Sequence, residues 1–119
     1  MNFTAPDILN SKHVISDFSC GNTSLDDWLK KRALANQVSG ATRTFVICVD
    51  NKVVGFYALA SGGIGVKSAM GKFKRNMPNP IPVVILARLA IDNSVQGQGL
   101  GRALFRDAAL RVVQASETI

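Results

Sequence analysis

The chain has 119 residues, 47% of them hydrophobic and 18% charged, a balance that excludes a disordered chain and suits one domain around a modest core. A net charge of +6 predicts attraction to polyanions without naming one. No basic-then-apolar leader opens the sequence and no apolar run approaches a membrane span, so a cytoplasmic location with no membrane contact is expected.

Residues 1–12 carry Pro6 and no clear period, as an arm or a short edge strand would. His13 reads as a surface or strand-edge residue, with nothing nearby to support it as a catalytic base. Cys20-Gly21-Asn22-Thr23-Ser24 is a turn, and Thr23 or Ser24 is placed to cap a helix with Asp26 or Asp27 closing the box. That helix is predicted over 25–37, with Leu25, Trp28, Leu29 and Ala33 on its core face. Lys30-Lys31-Arg32 beside the stripe is either solvated surface or a contact for nucleic acid or an acidic partner.

Thr44 to Val49 and Val53 to Leu59 read as a hairpin about the turn Asp50-Asn51-Lys52, with Gly55 marking a bulge or a close backbone approach. Cys20 beside a turn and Cys48 within the first of these strands are expected as free thiols in a reducing compartment. Residues 61–82 form a long connection rich in glycine, proline and base, with a short helix possible over 66–74. Lys67, Lys72, Lys74 and Arg75 make this stretch the candidate for touching a polyanionic substrate.

Val83 to Ile91 is an apolar, β-branched run that predicts a buried strand, with Leu86 and Leu89 as core. Arg88 is the exception within it, and a buried unpaired arginine is prohibitive. It is therefore expected in an ion pair, at an exposed end, or lining an acceptor cleft or dimer surface. Asp92-Asn93-Ser94 ends the strand, Gly97, Gly99 and Gly101 follow, and a helix is predicted over 99–116. Its stripe is Leu100, Leu104, Ala108 and Val112, widened by Phe105, Ala109 and Val113. Arg102 opposes the helix dipole in the first turn, which a nearby anion would offset, while Arg106 and Arg111 read as surface.

Strand, glycine turn and helix together make a seat for a pyrophosphate. The spacing is wrong for a dinucleotide fingerprint, and no lysine follows to make a P-loop. Gln96-Gly97-Gln98-Gly99-Leu100-Gly101 is instead Q-x-x-G-x-G, which resembles the acyl-coenzyme A loop of the GNAT superfamily of N-acetyltransferases. Phe18-Ser19-Cys20-Gly21, Leu25-Asp26-Asp27-Trp28-Leu29, Thr44-Phe45-Val46, the segment 53–59, the segment 77–82 and Leu89-Ala90-Ile91-Asp92 extend the likeness over residues 13–117. In this order they resemble the acetyltransferase toxins of bacterial toxin–antitoxin pairs.

The resemblance implies an α/β (α+β) GNAT-like fold, a mixed sheet flanked by helices, and transfer of acetyl from acetyl-CoA to the amine of an aminoacyl-tRNA, blocking translation. A ribbon-helix-helix antitoxin is the implied partner and a homodimer the implied assembly, with no metal. Coenzyme binding falls on Leu89, Ala90 and Ile91 through their backbone, and on Gln96, Gly97, Gln98, Gly99, Leu100, Gly101 and Arg102. The N–H of Leu89 would polarise the thioester, and Lys67, Lys72, Lys74, Arg75 and Arg88 would face the tRNA. The family continues past the position of Ile119 into further strands and a tyrosine general acid, to which Tyr57 does not correspond. Residues 1–119 are thus expected to be a single incomplete domain, lacking the last strands, with little or no transferase activity of its own. Acetylation of a small amine or a protein N-terminus, and a non-catalytic fold that only binds an antitoxin, are the alternatives.

Overall fold

The computed structural model describes residues 2–64 and 81–117. In chain order the elements are β1 (Asp7–Ile8), α1 (Thr23–Lys31), α2 (Ala33–Ser39), β2 (Arg43–Val49), β3 (Lys52–Ile64), β4 (Ile81–Ile91), a 3-10 turn (Asn93–Val95) and α3 (Leu100–Glu117). The strands form one sheet in the order β1-β2-β3-β4, and each neighbouring pair is antiparallel. Among the described residues, parallel pairing is confined to a single bridge, Val14 to Lys52.

The two-residue period of β2 divides the core. Val46 and Cys48 join Phe18, Trp28, Leu29, Ala33 and Phe56 beneath α1 and α2, whereas Phe45 and Ile47 join Tyr57, Val95, Leu104 and Ala108 beneath α3. The hairpin turn is as expected: Asp50 and Asn51 both take positive φ, the pairing that matches strand twist in a two-residue turn.

Two bulges break the ladders. Ile47 pairs Gly55 and Cys48 pairs Val53, so Val54 is the extra residue. Gly55 also marks a close approach, because a Cβ there would lie 2.9 Å from Ile47 Cγ1. In β4, Ala58 pairs Arg88 and Leu59 pairs Leu86, which leaves Ala87 unpaired.

The expected single helix over 25–37 is two helices. Arg32 sits at φ −122°, where its N–H still reaches the Trp28 carbonyl but the helical path turns into α2. The cap is Asn22, whose side chain accepts from the Leu25 N–H, rather than Thr23 or Ser24. Asp26 reaches back to the Cys20 N–H at 2.9 Å instead. The long connection is also shorter than expected, since residues 61–64 and 81–82 are strand, while a helix at 66–74 lies outside the described residues.

The end of the chain departs most from its pattern. Val84, Ile85 and Leu86 are exposed rather than buried, because β4 is the edge strand among the described residues and an open groove separates Val84 and Leu86 from α3. Phe105 and Val113 likewise face outward, and Leu104 and Ala108 alone of the α3 stripe are fully buried. Arg111 is no plain surface residue: its Nε donates to Asp107 at 2.9 Å, its guanidinium lies 4.1 Å over the Phe45 ring, and it donates to the Pro6 carbonyl at 3.2 Å. Arg106 is exposed, and Cys20 and Cys48 are free thiols, as expected. His13 caps the turn before it, its Nδ1 accepting from the Asn10 N–H.

Candidate active site

The site lies where β4 ends and α3 begins. The N–H of Asp92 donates to the Val54 carbonyl, and Ala90 pairs Phe56 two residues earlier in the same register. Alternation along an antiparallel strand therefore turns the polar backbone of Ala90 towards β3 and that of Leu89 and Ile91 towards the free edge. The Ile91 carbonyl is taken there by the Gln96 side-chain amide at 2.9 Å. The Leu89 N–H and C=O and the Ile91 N–H have no described partner on that edge.

The loop that follows is built to be held still. Asp92 ends the strand with one carboxylate oxygen accepting from the Ser19 N–H at 2.8 Å. Its other oxygen accepts from the Ser94 N–H at 3.0 Å and the Ser94 hydroxyl at 2.6 Å. Burial pushes the Asp92 carboxyl up, but the hydrogen bonds from Ser94 and Ser19, with Lys52 nearby, outweigh it and hold the group below its ordinary range. Gln96 Nε2 spans the Cys20 carbonyl, the Ile91 carbonyl and Asn93 Oδ1 at 3.1, 2.9 and 3.2 Å. The turn before α1 is thus tied to the loop before α3.

Gly97 and Gly99 have φ of +83° and +81°, which L side chains rarely adopt. Gly99 starts α3, its carbonyl accepting from the Ala103 N–H at 3.1 Å. No described group accepts from the N–H groups of Leu100, Gly101 and Arg102, the orphan donors of a helix start. Gly101 stands directly against the strand end, since a Cβ there would meet Ile91 Cγ1 and Leu89 Cδ2 at 3.9 Å. Arg102 is exposed, and among the described residues no carboxylate pairs with it. Three donors thus lie at the positive end of an 18-residue helix, whose first turn also carries the exposed guanidinium of Arg102. Among the described residues no cluster of His, Cys, Asp or Glu could hold a metal, and no helix is long and apolar enough to cross a membrane.

The expected coenzyme residues differ in where the structure puts them. Gly101 lies against Leu89 and Ile91; Gly97, Gln98 and Gly99 belong to the loop that follows the strand. Arg102 stands in the first turn of α3, and Leu100 packs into the α3 side of the core. The side chain of Gln96 braces the loop, and the backbone of Ala90 is turned to β3. Arg88 is on the opposite face, its guanidinium 4.4 Å from the centre of the Trp28 ring. Lys67, Lys72, Lys74 and Arg75 lie outside the described residues. Tyr57 is fully buried, donates its hydroxyl to Asp107 at 2.6 Å, and has its acidity suppressed by burial and by that carboxylate.

Sequence reasoning missed the roles of Ser19 and Asp92, and the network of Tyr57, Asp107 and Arg111. The spacing of Asp107 and Arg111, four residues apart on a helix, was the signal available for the second.

The loop also agrees with known proteins. Residues 8–115 match the model of the acetyltransferase (GNAT) family. A tRNA-acetylating toxin of Mycobacterium tuberculosis is 52% identical over 98% of this chain, which spans 70% of that protein. The solved structure of AtaT complexed with acetyl-methionyl-tRNAfMet matches with a TM-score of 0.80 at 28% identity, over 97% of this chain and 71% of its own. A mutant of the toxin AtaT bound to acetyl-CoA and the C-terminus of the antitoxin AtaR matches with a TM-score of 0.82 at 28% identity, over 100% of this chain and 70% of its own. With the glycine loop and the free strand edge in their places, the chain belongs to the GNAT family of acetyltransferases.

Proposed function

We propose that the protein is a toxin acetyltransferase that moves the acetyl group of acetyl-CoA to the amine of an aminoacyl-tRNA. The observation that carries the reading is the convergence of the unpaired N–H groups at the head of α3 with the free N–H of Leu89. In this reading the N–H groups of Leu100, Gly101 and Arg102, with the Arg102 side chain, hold the pyrophosphate of the coenzyme. Leu89 and Ile91 guide the pantetheine arm along the strand edge. The Leu89 N–H donates to the thioester oxygen as negative charge develops on it. The amine nitrogen forms the new bond to the carbonyl carbon and gives up a proton, the carbon–sulfur bond breaks, and the sulfur takes up a proton, so that amide and free thiol are the products.

Tyr57 is not the donor of that proton, because its hydroxyl is already committed to Asp107 beneath α3. Aminoacyl-tRNA as acceptor is supported by the relative that is 52% identical and by the net charge of +6. An antitoxin as partner is supported by the AtaT–AtaR complex. Its ribbon-helix-helix class, and a homodimer, belong to the same proposal.

Calorimetry with acetyl-CoA, followed by transfer of labelled acetyl to a charged tRNA pool, tests the reading. Binding with label on aminoacyl-tRNA, and none on polyamines or peptide N-termini, is the expected result. Label on small amines alone would move the protein to the other acetyltransferase class. Coenzyme binding with no transfer to any acceptor, while an antitoxin still binds, would leave the non-catalytic reading.

A further inference from the structure

Arg88 stands one residue before Leu89, yet it faces away from the coenzyme loop. The bulge at Ala87 sets this orientation. Leu86 lines a groove with α3 residues, and the extra residue puts Arg88 on the α1 face, where strict alternation from Leu86 would otherwise have kept it with α3. There its guanidinium lies 4.4 Å from the centre of the Trp28 ring, and Trp28 is itself stacked on Phe56 with ring centres 5.9 Å apart. The arginine is thus fixed by a ring anchored in the core.

Beside it opens a surface cavity of about 290 Å3 lined by Ser24, Asp27, Trp28, Lys31, Arg32 and Arg88. Asp27 is the single acid there, 3.8 Å from Lys31 and shared with solvent. Among the described residues no carboxylate pairs with Arg32 or Arg88. A stacked guanidinium keeps its planar edge of donors free, the geometry suited to a phosphate.

We infer that Arg88, held by Trp28 and flanked by Arg32 and Lys31, grips a backbone phosphate of the nucleic-acid acceptor on the opposite face of β4 from the coenzyme loop. The inference rests on the proposed aminoacyl-tRNA acceptor. One residue along the strand separates this grip from the Leu89 N–H, so a phosphate held here orients the acceptor end towards the reacting carbonyl. The coenzyme also carries phosphates, and the test separates the two sources.

Affinity for tRNA is measured by filter binding across a salt series, and affinity for acetyl-CoA by calorimetry, for the wild type and for Arg88→Gln, Arg32→Gln and Arg88→Lys. Circular dichroism confirms that each variant folds. Arg88→Gln is expected to weaken tRNA binding about tenfold and to lower the salt slope by about one, as loss of one phosphate contact does. Arg88→Lys is expected to restore the slope but only part of the affinity, since lysine keeps the charge and not the planar fork. Loss of acetyl-CoA affinity with tRNA binding intact assigns the site to the coenzyme and overturns the inference. Unchanged tRNA affinity and slope in both glutamine variants overturns it too, while leaving the acceptor proposal standing if labelled acetyl still reaches tRNA. No tRNA binding by the wild type overturns both.

Discussion

Gly99 and Gly101 stand two positions apart in one loop under different constraints. Gly99 is at φ +81° with nothing within 4 Å of the place a Cβ would occupy, so only backbone strain opposes a side chain. Gly101 has no positive φ, and its Cβ would make ordinary contact with Leu89 and Ile91 at 3.9 Å. Gly99→Ala is expected to lower stability by about 1–2 kcal/mol, the cost of a left-handed residue with a Cβ, and to weaken acetyl-CoA binding. Gly101→Ala is expected to melt close to the wild type, and equal losses in the two variants' thermal melts would contradict the assignment. Asp92 carries the pH dependence of the same loop. Its folded carboxyl is held below the ordinary 3.8, so its contribution to stability is present above that value and is lost as pH falls through the lower folded value. Melts recorded from pH 6 downwards are expected to show this loss in the wild type, and Asp92→Asn should be less stable at pH 6 with a flatter acid profile.

The strands show what patterning can and cannot carry. The alternation in β2 was legible, because side chains of period two must choose a face, and the two cores follow from it. Gly55 was legible as a special position for the same reason, since an interior glycine in an apolar strand needs a cause. Its causes are Ile47 and Ile91, whose side chains would stand 2.9 and 3.0 Å from a Cβ there, and Gly55→Ala is expected to cost about 1–3 kcal/mol from overpacking. Ile47→Val in the same chain should recover part of this, because it removes the Cδ1 atom that stands 3.0 Å from the new methyl. Denaturant titrations of the single and double variants measure the coupling; simple additivity would argue against the contact. The bulge at Ala87 left no mark in the sequence, because Val83 to Leu89 is apolar at nearly every position and so has no phase to break. That is why Arg88 could be recognised as anomalous but not assigned to a face. The glycine loop was legible down to single residues, whereas its fastening was not: Ser19 and Asp92 are 73 positions apart, and short polar residues at strand ends have many ordinary uses. Tyr57 and Asp107, 50 positions apart, were hidden in the same way.

At the scale of the whole molecule, the described residues leave the β4 edge of the sheet and the groove between it and α3 apolar and open. The free edge of β4 runs beside a groove lined by Leu59, Val84, Leu86, Phe105, Ala109 and Val113. Val84 is 49% exposed, Phe105 59% and Val113 51%, a contiguous patch rather than scattered surface residues. An open strand edge next to apolar surface recruits further chain, and here the opposing force is electrostatic. A net charge of +6 on each copy repels its neighbour over a distance that shrinks from about 30 Å at 0.01 M salt to about 8 Å at 0.15 M. Self-association of this 119-residue protein is therefore expected to strengthen with salt, the reverse of its expected binding to tRNA. Sedimentation velocity over a concentration series at both salt levels distinguishes the two behaviours. Phe105→Glu, at a position exposed on α3 and outside the coenzyme loop, is expected to lower the association constant at either salt while circular dichroism stays that of the wild type. A protein that remains monomeric at high concentration and high salt would show that this face is covered from within the chain, and would remove it as a contact surface.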